Sequence, residues 1–185
     1  MRRNARITGA KALRVLCAAG VLGALALADP VFADPAPAGP AGVGPRTLVF
    51  DLELVDTSGE GVLPAHARRK EVASAELRRA LAGAGYDIID PAGIASLIPR
   101  TVAIHACNGC EIDIARKAGA ELVVTGHVHK VSTLILSMTL KVADVATGQP
   151  TAAGAADIRG DNDRAWLHGV AWLVRNRLSN IAWTR

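Results

Sequence analysis

STLILSMTLKVADV, residues 132–145, alternates apolar and polar side chains along most of its length. Leu134, Leu136, Met138, Leu140 and Val142 fall on one side; Ser137, Thr139 and Lys141 fall on the other. A period of two belongs to a strand with one face buried and one solvated. The segment before it, ELVVTGHVHKV (121–131), repeats the pattern, with Leu122, Val124 and Val128 opposite Thr125, His127 and His129. After it, ATGQ makes a hairpin turn, and TAAGAADIRG (151–160) returns as a weaker edge strand. Short links between successive strands predict an antiparallel meander.

Further upstream the strands are separated by helices. TLVFDLELVD (47–56) alternates, with Leu48, Phe50, Leu52 and Leu54 on one side and Thr47, Asp51 and Glu53 on the other. Between Arg68 and Ala84, Val72, Leu77, Ala80, Leu81 and Ala84 recur at helical spacing, and Gly85 supplies the stop. YDII is a short strand. Asp90-Pro91 then reads as an N-cap followed by Pro in the first turn, opening a short helix to about Ile98. EIDIARKAGA makes another helix, closing at Gly119. Asp161 to Asp163 caps a final helix with Leu167, Val170, Ala171, Val174 and Leu178 as its apolar stripe. The predicted fold is α/β (α+β), in the order β-α-β-α-α-β-β-β-α. It is a two-layer sandwich whose mixed sheet of about five strands carries its helices mainly on one face and leaves the other wet.

The 185 residues divide into a leader (1–33), a tether (34–45) and one domain (46–185). MRRNARITGAKALR is positive, VLCAAGVLGALALA is a short apolar core, and VFA precedes Asp34 as a small-residue cleavage site ending at Ala33. Cleavage after Ala28 competes. The apolar run is short of the roughly 20 residues a membrane span needs, so no stable transmembrane anchor is expected after processing. The segment DPAPAGPAGVGP cannot bury a face and reads as a flexible tether. The net charge of +4 belongs mostly to the leader. Setting aside its five basic residues and Asp29 reduces the 21 basic and 17 acidic residues to 16 of each. With no basic stripe left, nucleic-acid binding is not expected.

Cys107 and Cys110 are the two cysteines of the expected mature chain, and an exported protein sits where disulfides persist. Asn108-Gly109 between them tolerates a tight turn. Three readings stay open: a structural clip, a redox-active pair whose thiolate is stabilised by the following helix, and a metal site with His105 nearby. Haem attachment is excluded, because Glu111 stands where that motif needs histidine. His127 and His129 project from one face of their strand. If the first strand is a parallel neighbour, Asp51 and Glu53 share that surface, making these four a candidate site for a divalent metal. The plainer reading is a solvated sheet face with cross-strand charge pairs. His66 and His168 read as isolated surface or helix-face residues. No phosphate loop and no GxSxG elbow occurs, and no cofactor is implied.

VFDLELVDTS, HACNGCEIDIARKAGAELVVTG, HKVSTLILSMTLKVADVATG and DIRGDNDRAWLHGVAWLVRNRL together resemble an exported proteobacterial family of unknown function, family 3280. The resemblance spans nearly all of the chain after the tether. It implies a signal peptide, no established activity, and a match of Cys107 and Cys110 to the family motif. The family is also similar to the small α/β domains of the periplasmic Tol propeller protein and of curli-type assembly lipoproteins, which implies an interaction scaffold. His127 and His129 depart from the family pattern after VVTG, which weakens the case for a shared metal role.

The expectation is therefore a periplasmic, non-enzymatic binding or scaffold module with an envelope protein as partner and a structural CxxC disulfide. The alternative is a periplasmic thiol–disulfide oxidoreductase or redox sensor using the same two cysteines.

Overall fold

The computed structural model describes residues 44–61, 63–98 and 102–179. The leader with Ala28 and Ala33 and nearly all of the tether lie outside the described residues.

Among the described residues six strands form one sheet: β1 (Arg46–Val49), β2 (Glu53–Asp56), β3 (Asp87–Ile89), β4 (Leu122–Lys130), β5 (Ile135–Asp144) and β6 (Pro150–Arg159). Their order is β3-β1-β4-β5-β6, with β2 also paired to β4. β1 is parallel to β3 and β4, β2 is parallel to β4, and β4-β5-β6 is the expected antiparallel meander. Three α-helices are described: α1 (Pro64–Gly83), α2 (Cys110–Lys117) and α3 (Asp163–Leu173), the last continuing through a π turn to Leu178. Pro91–Leu97 and Ile104–Ala106 are 3-10 turns, the first capped by Asp90, whose carboxylate accepts the Ala92 N–H at 2.9 Å. The predicted α/β architecture is what the chain adopts.

The alternation of residues 47–56 is interrupted. Val49 pairs with Val124 and Glu53 pairs with His127, so three residues of the first strand stand opposite two of β4. This is a β-bulge, and one extra residue reverses the facing of everything after it. Leu48 and Phe50 therefore join one core, while Leu52 and Leu54 pack with the other. The expectation that all four share a face is corrected by that inserted residue. α1 holds the bulge in place. Ser74 Oγ accepts the Leu52 N–H at 2.9 Å, and Arg78 donates to the Val49 carbonyl at 3.2 Å and to Asp51 Oδ1 at 2.5 Å.

The larger core lies between the sheet and α1 and α3, around Leu77, Leu81, Val124, Met138, Leu140, Trp166 and Leu173. Helix α1 starts four residues earlier than expected, and Ala73, Ser74, Leu77 and Leu81 form its buried stripe. In α3, Trp166 and Leu173 take stripe positions expected of Leu167 and Ala171, which end up half-buried. α3 approaches the sheet closely where two glycines make room: a Cβ on Gly169 would meet Ile158 at 3.2 Å, and one on Gly154 would meet Arg177 at 2.7 Å.

The other sheet face is not wholly wet. α2 and the two 3-10 turns cover its β3-β1-β4 half, burying Leu48, Phe50, Ile94, Ile104, Ile114 and Val123 in a second core. The β5-β6 half of that face carries Ser137, Thr139, Lys141, Ala153, Ala155 and Asp157, all half-buried or exposed.

Candidate functional site

Beyond the bulge, β2 turns Glu53 and Val55 toward the second face, in register with His127 and His129. Glu53 organises the segment ahead of the cysteines. Its Oε1 accepts the Ile104 N–H at 2.8 Å, and its Oε2 accepts the His105 N–H at 2.8 Å and lies 2.5 Å from His105 Nδ1. The His105 ring in turn rests on His127, centroids 4.9 Å apart. Burial pushes the His127 pKa below its usual 6.5; His105 and His129 add to the depression, and Glu53 opposes it.

Of the four residues expected to share this surface, Glu53 and His127 come together. His129 Nε2 instead pairs with Thr57 Oγ1 at 2.9 Å, and Asp51 sits in the bulge against Arg78. His105, which the sequence placed only near the cysteines, completes the cluster. Its approach depends on the chain doubling back between β3 and α2, and no spacing rule reveals that.

Cys107 and Cys110 are bonded, with sulfurs 1.99 Å apart. The turn between them uses left-handed backbone at Asn108 (φ 51°) and Gly109 (φ 106°), a conformation these two residue types accept most readily. Glu111 Oε2 accepts the Gly109 N–H at 2.9 Å and lies 3.2 Å from Cys107 Sγ. Reduction of the bond would place the Cys107 thiol within hydrogen-bonding reach of this carboxylate. The potential ligand atoms of Cys107, Cys110 and Glu111 lie within 4.8 Å of one another, but a sulfur spent on its partner is no metal ligand.

A second ionic cluster was not anticipated. Lys130 is fully buried, with Nζ 2.7 Å from Glu60 Oε2 and 3.6 Å from Asp56 and Asp161. The Glu60 contact is a close ion pair rather than an aligned hydrogen bond. Asp161, whose side chain is only 2% exposed, accepts from Arg69 at 2.7 Å and from Trp166 Nε1 at 3.2 Å, and lies 2.7 Å from His66 Nε2. Burial pushes the Asp161 pKa up, but the His66 hydrogen bond and the Arg69 charge outweigh it and hold the carboxyl below its usual value. His66 is therefore a buried partner of Asp161, not an isolated surface residue. Arg68 and Arg69 also bind Asp163.

Beside the sheet edge, β6 and α3 bound a groove of about 780 Å³ that includes Ile158, Arg159, Arg164, His168 and Trp172. Trp166 is buried, whereas Trp172 is half-buried, with the Arg177 guanidinium 5.7 Å over its ring. Among the described residues, no helix is long and apolar enough to cross a membrane.

The LpoB C-terminal domain from Salmonella enterica superposes with a TM-score of 0.50 at 20% identity, over 65% of this chain and 86% of that one. Lipoprotein GNA1162 from Neisseria meningitidis gives 0.48 at 17% identity, over 71% and 94%. TolB from Acinetobacter baumannii gives 0.43 at 15% identity, over 74% of this chain and 29% of TolB. At 20% identity the LpoB likeness speaks to the fold alone. No curated protein sequence matches. Residues 45–178 match DUF3280, described as a protein of unknown function (DUF2380), and the chain belongs to that family.

Proposed function

We propose that the chain is a periplasmic, non-catalytic binding module of the cell envelope, exported by a leader that ends at Ala33 and braced by the Cys107–Cys110 bond. The observation that carries this reading is the tip of the β4–β5 hairpin. Val131, Leu134 and Ile135 stand exposed there, Leu134 by 71% and Ile135 by 59%, beside a sheet half-face that nothing in the described chain covers. The strand alternation placed Leu134 inward; the chain turns before β5 begins and leaves it outside. Exposed apolar side chains grouped at one tip mark a contact surface more than a packing need. Several polar groups nearby are meanwhile engaged within the chain: Glu53 with His105, His129 with Thr57, Lys130 with three carboxylates.

The test is recovery of a partner from envelope extract by the intact, C-terminally tagged chain, compared with Leu134→Ser/Ile135→Ser. Both side chains are exposed, so the double variant should keep its fold within about 1 kcal/mol. It should lose the partner. Failure of the unaltered chain to retain any protein reproducibly would end this reading.

The contact of Glu111 with Cys107 Sγ favours a second reading, a thiol–disulfide oxidoreductase or redox sensor. The reduction potential separates the two: below about −300 mV for a brace, well above it for a working pair.

A further inference from the structure

β6 is the outermost strand of the sheet on its side, and among the described residues nothing pairs with its outer edge. Ten residues long, it offers an edge of about 33 Å, and half of those residues turn their N–H and C=O outward. Sheets protect such edges with bulky charged side chains, prolines or bulges. From Thr151 to Ala156 this strand has only Thr, Ala and Gly, so its backbone is open to approach.

The surroundings of that edge are charged one way. Arg159 from the end of β6, and Arg164 and His168 from α3, rim the groove, against a single acid, Asp157. Neither arginine forms an ion pair among the described residues, in contrast to Arg68, Arg69, Arg78, Arg79 and Arg116. The half-buried Trp172 supplies an apolar wall, and Gly169 lets the groove floor sink close to β6. The groove is also continuous with the apolar hairpin tip, since Arg159 pairs with Ile135 across the β5–β6 ladder.

We propose that the outer edge of β6 and its groove bind an extended, acidic peptide segment of a partner protein by strand addition. This rests on the binding-module reading and names its surface. Main-chain hydrogen bonds to the edge would supply affinity. Side chains on the α3 side of the added strand would enter the groove and bring carboxylates to Arg164, and those on its other side would reach Arg159. An acidic segment is favoured because it neutralises cations that the chain itself leaves unmatched.

The probe is a fluorescent ten-residue peptide alternating Val and Glu, titrated into the intact chain by anisotropy. A Val/Lys counterpart and two forms of the Glu peptide, N-methylated at odd or at even backbone positions, accompany it. The Glu peptide should bind, weaken with salt, and lose about tenfold or more in affinity on Arg159→Glu/Arg164→Glu. The Lys peptide should not bind the unaltered chain. One methylated form should fail and the other bind, since a strand joins a sheet through only one of its edges. Equal binding of Glu and Lys peptides, or of both methylated forms, overturns the proposal. So does a stable dimer by sedimentation that excludes the peptide, because a second copy would then own the edge. If no peptide binds while R159E/R164E still recovers the envelope partner, strand addition fails and the binding-module reading stands.

Discussion

Gly126 sits opposite the bulge with no space for a side chain. A Cβ there would lie 2.5 Å from Leu140 Cδ2, 2.7 Å from Leu52 Cδ2 and 3.0 Å from the Thr139 carbonyl. Gly126→Ala should therefore destabilise the fold by about 1–3 kcal/mol, measured by urea denaturation. Lys130 calls for a pH experiment. The pKa values of Asp56, Glu60 and Asp161 are all held below their usual range. Hydrogen bonds from Ser58 lead at Asp56, and the close Lys130 contact leads at Glu60. At Asp161 burial opposes the shift and His66 and Arg69 overcome it; the Lys130 charge contributes at all three. A depressed carboxylate contributes stability that is complete above its unfolded pKa and drains away as pH falls through the folded value. Lys130→Met should thus move the acid-unfolding midpoint to higher pH, as followed by circular dichroism. Lys130 was legible in principle. It continues the inward phase of Leu122, Val124 and Val128, and only the habit of placing lysine outside hides it. His66 was not, because its partner Asp161 is 95 residues away.

At the scale of elements, the hairpin strands follow from alternation alone because each is continuous and pairs with a sequence neighbour. The first strand could not be read that way. A bulge is defined by what lies across from it, and β4 begins more than seventy residues later. The device that holds the bulge gives a clean test. Ser74→Ala leaves the buried Leu52 N–H without its acceptor and should cost about 1–3 kcal/mol. Arg78 should keep the strand in register meanwhile. The Cys107–Cys110 bond closes a loop of only four residues, so chain entropy gives it about 2 kcal/mol. Cys107→Ser should lower stability by that order if the bond is a brace, read from chemical denaturation beside its reduction potential. The CNGC motif offered the bond as one of three readings; the role of the Glu53 carboxylate in anchoring the preceding turn was visible only once β2 and β4 were paired.

For the whole molecule, the α/β class was carried by the period and order of segments, and the division of the sheet between two cores was not. The second core is assembled from short pieces, one two-turn helix and two 3-10 turns, each too short to announce by itself which sheet face it covers. Export is a prediction at this scale as well. Protein recovered from the periplasm should begin at Asp34 by N-terminal sequencing. An intact Met1 on protein found in the cytosol refutes it.

The inserted residue between β1 and β2 has a consequence for how this chain can vary. Side chains along residues 46–56 could be exchanged for others of like character, but their number could not change. Losing Asp51 would restore a regular ladder and swing Leu52 and Leu54 away from α1. The same shift would aim the Glu53 carboxylate into oil and cast His105 loose from its anchor. One surplus residue is what lets a single strand serve two interiors.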